Sequence, residues 1–174
     1  MTTQKSTVEE IRLRFDQDVE RFSNLDTGQV STIDAVLSLE LITESAKRLR
    51  PTATHILDIG CGAGNYSLKM LSKLPGLDCT LVDLSKPMLD RAVQRISAET
   101  NRPVTAIQGD IREITLPKRA FDIILAGAVL HHLREEEEWL SVFTKLYHSL
   151  KDGGCLFVSD LISQDNDVLH ELIR

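Results

Sequence analysis

The 174-residue sequence is poor in aromatic side chains and has no excess of positive charge. Aromatic residues make up 5% of the chain, which is little material for the base-stacking platforms of single-strand nucleic-acid binders. Lysine and arginine total 20 against 26 acidic residues, a net charge of -6, and they are scattered along the chain. A basic stripe is therefore missing, and we expect no duplex nucleic-acid partner.

Cysteine and long apolar runs are also sparse. The three cysteines, Cys61, Cys79 and Cys155, form no C-x-x-C pair, so a zinc knot or a disulfide framework has no support. We expect reduced, mostly buried thiols in a cytoplasmic protein. The longest apolar run, residues 123–130, is far shorter than the roughly 18 residues of a membrane span, and the polar start MTTQKSTVEE lacks a signal-peptide pattern. We therefore expect no membrane association.

The first fifty residues carry the three- and four-residue spacing of helix faces. Ser6 to Glu9 fits a capping box at the start of one helix. The apolar face of that helix consists of Val8, Ile11, Phe15, Val19 and Phe22. A second face, which ends before Pro51, consists of Ile33, Val36, Leu37, Leu41 and Ala46. We expect residues 1–50 to be a helical extension or lid, in which Phe15, Val19 and Phe22 either line a substrate site or pad the sheet.

After residue 50 the sequence alternates between short apolar runs and amphipathic helices. The predicted strands are residues 55–59, 78–83, 103–107, 121–126 and 155–160, all too apolar to have one face in water. The predicted helices are residues 65–74, 86–98 and 135–150, with Ser85 as the cap of the second and residues 152–154 as the stop of the third. On the third helix we expect core contacts from Trp139, Phe143, Leu146 and Leu150. The alternation predicts an α/β fold: a doubly wound, mostly parallel Rossmann-like sheet with helices on both faces, in residues 51–174.

Three glycines follow the first predicted strand in Asp58-Ile59-Gly60-Cys61-Gly62-Ala63-Gly64. Their backbone freedom allows a sharp turn and the close approach of a large, flat ligand. The last glycine or alanine of a dinucleotide fingerprint falls at Asn65 here, and Asp58 disfavours a dianionic ligand. The loop therefore favours a ligand with an ammonium or sulphonium group over a pyrophosphate. A tight turn without a ligand stays the alternative.

Further carboxylates end the next two predicted strands. Asp83 lies 19 residues after Gly64, where it can accept hydrogen bonds from both hydroxyls of a ribose. Asp110 follows the third strand. Each acid by itself could be a helix cap or a turn residue, but acids at three successive strand ends favour an adenosine-containing ligand.

These motifs resemble those of the class I S-adenosylmethionine-dependent methyltransferases, in their small-molecule branch. The glycine loop is similar to D/E-x-G-x-G-x-G, and the likeness covers residues 54–161, including Phe121-Asp122-Ile123-Ile124 and Leu150-Lys151-Asp152-Gly153-Gly154. The resemblance implies S-adenosylmethionine as cofactor, S-adenosylhomocysteine as product and a small-molecule methyl acceptor. The cofactor-binding residues that it implies are Asp58, Gly60, Cys61, Gly62, Gly64, Asp83, Leu84, Met88, Gly109, Asp110, Ile111 and Ala126.

The resemblance also divides these residues by the part of the cofactor they contact. The loop would hold the methionine part, with Asp58 near its amino group, directly or through water. Asp110 would accept from the exocyclic amine of adenine, and Ile111 would pack on the ring or present its backbone N–H. The resemblance thus implies one continuous site along three strand ends.

Two histidines follow the fourth predicted strand in Val129-Leu130-His131-His132-Leu133, which is similar to a stretch of the same branch. A histidine, whose ordinary pKa is about 6.5, can take a proton from an acceptor that arrives protonated. We take His131 rather than His132 as the candidate catalytic base; a cap near Glu135 or packing on adenine stays open for each. Both histidines precede a glutamate by four residues, but residues 135–138 fit the acidic first turn of a helix better, so we expect no metal.

Family members continue past the fifth strand with a helix and two more strands. Here about a dozen residues follow Asp160, and residues 165–172 look like the start of a helix. We therefore expect the C-terminal strands to be missing and the fifth strand to be an apolar edge, in a truncated chain or in one that a partner covers, as in a homodimer.

Three other functions stay open. A tRNA wobble-uridine-type enzyme that uses carboxy-S-adenosylmethionine is suggested by residues 85–88 and 109–112, although no additional cation accompanies the loop. A cofactor-binding subunit without activity is the second. A nicotinamide-dependent oxidoreductase is the third, and Asp58 and Asn65 argue against it.

Overall fold

The computed structural model describes residues 6–24 and 35–160. Its helices are α1 (Val8–Gln17), α2 (Val19–Ser23), α3 (Ala35–Leu49), α4 (Asn65–Lys73), α5 (Lys86–Glu99) and α6 (Glu136–Ser149). Its strands are β1 (His55–Ile59), β2 (Asp78–Asp83), β3 (Val104–Gln108), β4 (Phe121–Gly127) and β5 (Leu150–Ser159). A short 3-10 helix, Leu130–His132, follows β4. The helix start expected at residues 165–172 and the position of Ile33 lie outside the described residues.

The five strands form one sheet in the order β3-β2-β1-β4-β5, and every neighbouring pair is parallel. The chain moves outward from β1 to β3 and returns to the other side of β1 as β4. This reversal is the topological switch point, beyond which open α/β sheets bind their ligands. The predicted α/β fold with a Rossmann-like parallel sheet is confirmed.

Helices cover both faces of the sheet, because each face carries its own apolar cluster. On one face α3, α4 and α5 contribute Ala46, Met70, Leu71, Leu89, Ala92 and Ile96. On the other face the 3-10 helix and α6, with the segment after β3, contribute Ile111, Leu116, Leu130, Leu133, Val142 and Leu146. Because α3 joins the first cluster, it packs as part of the layer around the sheet. The division of the chain at residue 50 stays a prediction.

The expectation that every strand is buried on both faces is wrong for the two outer strands. In β3, Thr105, Ala106 and Gln108 are exposed. In β5, Val158 is 42% exposed. Both strands have a neighbour on one side only within the described sheet, so the helices above them cover less of their surface.

Several predicted boundaries shift. The capping box uses Thr7 and Glu10, one residue later than expected, with the Glu10 N–H donating to Thr7 Oγ1 at 3.2 Å. The first helix is interrupted at Asp18, whose φ of -107° is not helical, so α1 and α2 are separate. Residues 152–154 do not stop α6: they lie within β5 at an irregularity of its pairing with β4, where Gly153 has a φ of +75°. The fifth strand therefore starts at Leu150.

The outer face of α6 corrects another expectation. Leu146 is buried as predicted, but Trp139 and Phe143 are each 37% exposed and stack on each other with ring centroids 5.8 Å apart. The buried stripe of α6 runs through Val142, Leu146 and Ser149 instead, which leaves Trp139 and Phe143 on its shoulder. No helix in the described parts of the chain is both long and apolar enough to cross a bilayer.

Candidate functional site

A cleft of about 270 Å³ opens beyond the carboxyl ends of β1, β2, β4 and β5. Loops after these strands form its floor, and α1, α2 and α3 supply the opposite wall. Its lining includes Ile11, Arg14, Phe15, Phe22, Ser38, Gly60, Cys61, Gly62, Tyr66, Asp83, Leu84, Met88, Gly127, Ala128, Val129, His131, His132 and Ser159. A smaller cleft of about 50 Å³ extends over the end of β3. The two clefts share Asp83 and His132, so they form one continuous site.

The glycine loop after β1 is shaped by three positive φ angles, but its glycines do different work. At Gly60 (φ +62°) a Cβ would lie 2.4 Å from the side chain of Val129, so only glycine fits. At Gly62 (φ +50°) a Cβ would meet no described atom within 4 Å, because this glycine faces the cleft. Gly64, at the start of α4, lies against Ala92 and Ile96 of α5 and does not line the cleft. Of the predicted loop residues, Gly60, Cys61 and Gly62 therefore reach the site.

Asp83 holds the loop and faces both clefts. Its Oδ2 accepts from the Gly62 N–H and its Oδ1 from the Ser85 N–H, each at 2.8 Å. Burial raises the pKa of Asp83, while these amide donors lower it. A carboxylate has about four acceptor positions, so Asp83 keeps acceptor capacity for the hydroxyls of a ligand. The contact of Asp83 with a ribose stays a prediction.

Asp58 lies behind the loop rather than on the cleft wall. It is 1% exposed, and its Oδ2 accepts from the Ser67 hydroxyl at 2.7 Å. Burial raises the pKa of Asp58 to about 7, and Asp83 adds to the rise. The structure thus does not bring this carboxyl to the cleft surface, and its contact with a cofactor amino group stays a prediction.

The third predicted group, Gly109, Asp110 and Ile111, lines the smaller cleft. Partial burial acts to raise the pKa of Asp110, but hydrogen bonds from Arg112 outweigh it and hold the pKa below its usual value. The Arg112 Nε donates to both carboxylate oxygens at 3.0 Å, and its Nη1 reaches Glu138 at 2.7 Å. Asp110 is therefore ionised and fixed at the edge of the smaller cleft.

Two predicted hydrophobic contacts are placed as expected and one is not. Leu84 and Met88 line the main cleft. Ala126 is 1% exposed and absent from the cleft wall, because β4 continues to Gly127. Gly127 and the two residues after it take the place expected for Ala126.

Cys61 is a buried residue that contributes to the cleft lining, and Cys79 is buried in β2. Burial raises the pKa of the Cys61 thiol well above its usual value, and Asp58 and Asp83 raise it further. Cys61 is therefore a protonated packing residue and not a nucleophile.

The two histidines have different surroundings, although both line the cleft. The Nδ1 of His131 lies 2.6 Å from Oδ1 of Asp160, and its backbone N–H donates to Oδ2 at 3.0 Å. Burial lowers the pKa of His132 to about 4, with a further contribution from His131, and its ring packs edge-on against Phe15. His132 is therefore neutral at pH 7. Neither histidine caps α6, whose N-terminus is closed by Glu135 and Glu138.

Within residues 6–24 and 35–160, no three His, Cys, Asp or Glu side chains are close enough together to hold a metal ion. The acidic first turn of α6 instead carries residues 136–138, as its helix dipole favours.

The sequence analysis missed several cleft residues. Ser38 and Ser159 lie 121 positions apart, yet their hydroxyl oxygens are 2.6 Å apart, and both residues line the cleft beside Tyr66. Only the packing of α3 against β5 brings them together. Asp160 did carry a signal, because it ends a predicted strand as Asp83 does. Of the residues left open, Phe15 and Phe22 line the cleft and Val19 does not.

The sheet order, the glycine loop and the acid at the end of β2 define a Rossmann-like domain with a cleft at its topological switch point. The family model of a methyltransferase domain matches residues 56–154, more than half of the chain. The chain therefore belongs to this methyltransferase family, and its fold is that of the class I S-adenosylmethionine-dependent enzymes.

Known proteins agree with this assignment. A malonyl-[acyl-carrier protein] O-methyltransferase of Halalkalibacterium halodurans is 34% identical over 124 residues, 70% of this chain and 44% of the relative. A carboxy-S-adenosyl-L-methionine synthase of a Shewanella species is 30% identical over 139 residues, 78% of this chain and 56% of the relative. The YcgJ protein of Bacillus subtilis superposes with a TM-score of 0.61 at 26% identity, over 79% of this chain and 56% of that one. The chain spans about half the length of the curated relatives it matches.

Proposed function

We propose that this chain is an S-adenosylmethionine-dependent methyltransferase that moves a methyl group to a small-molecule nucleophile. The observation that carries the proposal is Asp83, a buried carboxylate that faces the cleft while it holds the open glycine Gly62. A nucleoside with two ribose hydroxyls fits this acceptor, and the space in front of Gly62 admits a ligand close to the backbone.

The residues present fit S-adenosylmethionine along the whole site. Gly60 to Gly62 would hold its methionine part, Asp83 its ribose, and the smaller cleft with Asp110 and Ile111 its adenine. When bound, the cofactor supplies a methyl group on a sulphonium, and the product is S-adenosylhomocysteine. Such a methyl group is already activated, so the chain has mainly to orient the acceptor, which can lower a barrier by roughly 7 to 11 kcal/mol.

The acceptor side of the cleft is formed by α1, α2 and the segment after β4. Phe15 and Phe22 pack on each other with ring centroids 5.4 Å apart and give this wall an apolar surface. His131 is the candidate base: it accepts the proton that an O–H or N–H acceptor loses. His132 is a poor second choice, since burial lowers its pKa to about 4.

Isothermal titration of the purified chain with S-adenosylmethionine, S-adenosylhomocysteine and NAD tests this function. We expect stoichiometric binding of the first two and none of NAD. Binding of NAD alone would contradict the proposal. Binding of S-adenosylmethionine without product over a broad panel of acceptors would instead support the subunit without activity.

One observation favours a second candidate, an enzyme that uses carboxy-S-adenosylmethionine. Arg14 lines the cleft, and its guanidinium carbon lies 5.3 Å above the Phe15 ring. Among the described residues no carboxylate forms an ion pair with it, so a cation is present that the glycine loop lacks. If the ligand carries the additional carboxylate, Arg14→Gln should weaken carboxy-S-adenosylmethionine more than S-adenosylmethionine in paired titrations. Equal losses would remove this candidate.

The cellular compartment and the oligomeric state of the protein are proposals as well. Free thiols at Cys61, Cys79 and Cys155 are typical of a reducing compartment, and we place the protein in the cytoplasm. Sedimentation of the full chain at two concentrations tests the homodimer that the sequence led us to expect.

A further inference from the structure

The end of β5 carries an acid that pairs with the candidate base. Asp160 follows β5 directly, and both of its carboxylate oxygens face His131: Oδ1 contacts the ring Nδ1 at 2.6 Å and Oδ2 accepts the backbone N–H at 3.0 Å. The side chain of Asp160 is 11% exposed and that of His131 is 29% exposed. The carboxylate of Asp160 is thus mostly covered, while the His131 ring stays accessible from the cleft.

This geometry fixes which ring nitrogen carries the proton. An ionised carboxylate only accepts hydrogen bonds, so the neutral imidazole must hold its hydrogen on Nδ1. The lone pair then lies on Nε2, which leaves that nitrogen as the acceptor. Two contacts to one carboxylate also restrict the rotation of the ring, since the backbone of His131 is held by the same group.

Paired backbone lies directly before both residues of this pair in the chain. β4 and β5 pair in parallel from Ile123 to Gly127, and the N–H of Ala128 then donates to the Ser159 carbonyl at 2.7 Å. The pairing of these strands therefore continues past β4 and sets the distance between the segment with His131 and the end of β5. Side chains held by paired strands keep their mutual geometry better than those on free loops.

We propose that Asp160 is a positioning residue for His131: it fixes the imidazole with the proton on Nδ1 and holds Nε2 ready for the acceptor. This inference rests on the proposed function, since it names the support of its base. The acceptor's O–H or N–H bond breaks with its electrons staying on the oxygen or nitrogen, which forms the new bond to the methyl carbon. The methyl–sulphur bond breaks with its electron pair staying on sulphur, and the proton goes to Nε2.

Imidazole nitrogen NMR of the full chain, without cofactor, gives the first test. The His131 signals, assigned by their loss in His131→Ala, should show the Nδ1–H tautomer in the wild type. In Asp160→Ala we expect a mixture that includes the Nε2–H tautomer. An unchanged tautomer in a folded Asp160→Ala would overturn the inference. The reading does not depend on any activity.

Turnover with an acceptor from the panel gives the second test. We expect Asp160→Asn, which keeps the size and one oxygen acceptor, to lower kcat roughly tenfold or more, and His131→Ala to lower it about 10²- to 10⁴-fold. Cofactor affinity should stay within about twofold in both, because neither group faces the ribose or adenine side. A residue that merely ties two segments together would tolerate asparagine, so wild-type kcat in Asp160→Asn would contradict the proposal.

A double-variant cycle separates action through His131 from a structural effect. In the His131→Ala background, Asp160→Ala should cause no further loss of kcat, because the base it positions is already gone. Additive losses would overturn the proposal. Asp152→Asn is the matched control: it also lies on β5, it is 85% exposed, and it should behave as wild type. If the chain did not bind S-adenosylmethionine, the proposed function would be contradicted. The tautomer measurement needs no cofactor, so it tests the role of Asp160 independently.

Discussion

Individual carboxylates in this chain differ in what neutralises them. Asp122 receives the Lys151 ammonium and the N–H groups of Thr54 and His55, and these donors overcome its burial and lower its pKa to about 2. Asp58, on the next strand of the sheet, receives the Ser67 hydroxyl and no cation, and burial raises its pKa to about 7. The same residue type is therefore a structural anion at one end of the sheet and a weak acid at the other.

Asp83 is the residue on which cofactor affinity should depend most. Asp83→Asn keeps the side-chain volume but removes the charge, so the hydrogen bonds to a ribose become weaker. We expect S-adenosylmethionine affinity to fall about 10- to 100-fold, or about 1.5 to 3 kcal/mol, in isothermal titration. Asp90→Asn, on the exposed side of α5, is the control and should bind normally. Unchanged affinity in folded Asp83→Asn would remove this residue from the site.

Asp58 should make stability depend on pH. Its folded pKa of about 7 lies above its ordinary value of 3.8, so the folded chain keeps a proton that the unfolded chain has lost between these pH values. Its contribution is thus fully present below about pH 4 and disappears as pH rises through about 7, a change of about 4 kcal/mol at most. Asp58→Asn cannot ionise at this position. We therefore expect the free energy of unfolding of the variant, minus that of the wild type, to be larger at pH 8 than at pH 5.

Urea unfolding of the cofactor-free chain at both pH values measures the difference, with Asp152→Asn as an exposed control. Stability differences that are equal at pH 5 and pH 8 would show that Asp58 titrates normally. The comparison between variant and wild type isolates this group from the other carboxylates, which titrate alike in both chains.

At the scale of single elements, the turn from β1 into α4 has two functions that separate by position. Gly62 faces the cleft, while Gly64 lies against α5, where an added Cβ would be 3.2 Å from the Cβ of Ala92. Both have positive φ, so a substitution at either position strains the backbone by roughly 1 kcal/mol. Only at Gly64 does a Cβ also press on the core.

Gly62→Ala and Gly64→Ala should therefore have opposite signatures. We expect Gly62→Ala to lose at least tenfold in cofactor affinity with a small loss of stability, because its methyl group enters the cleft. Gly64→Ala should lose about 2 to 3 kcal/mol of unfolding free energy from strain and overpacking. Thermal unfolding and titration of both variants measure the two quantities. If both variants lost cofactor affinity and unfolding free energy in the same proportion, the two glycines would not have separate functions.

The first two helices, α1 and α2, are fastened to the core at a few points. Arg91 of α5 makes two hydrogen bonds of 2.9 Å to Glu20, and the Asn65 side-chain amide donates to the Phe22 carbonyl at 3.0 Å. Glu20 is 84% exposed, so its ion pair contributes little. Helices α1 and α2 are therefore held by a small number of weak contacts, as suits a segment that borders a cleft.

At the scale of the whole molecule, ligand binding should appear as thermal stabilisation. The cleft joins the ends of four strands to α1, α2 and α3, so a bound ligand contacts both sides of the molecule. S-adenosylhomocysteine at 100 times its Kd should add about 2.7 kcal/mol, which corresponds to a rise in Tm of about 5 to 10 °C for a chain of this size. NAD at the same concentration should cause none, and a rise with NAD would contradict the cofactor assignment.

The sequence alone determined the order of strands and helices, the parallel sheet and the edge at which the cleft opens, because these follow from local periodicity and from chain connectivity. It also located Gly62 and Asp83, since a strand end and a turn are local features. Only the tertiary structure decided that Asp58 lies behind the loop, that Ala126 and Gly64 leave the cleft wall, and that Trp139 lies on a helix shoulder. It alone brought Ser38 to Ser159 and His131 to Asp160. Side-chain burial and contacts between distant segments depend on how helices pack on the sheet, and no local pattern encodes that packing.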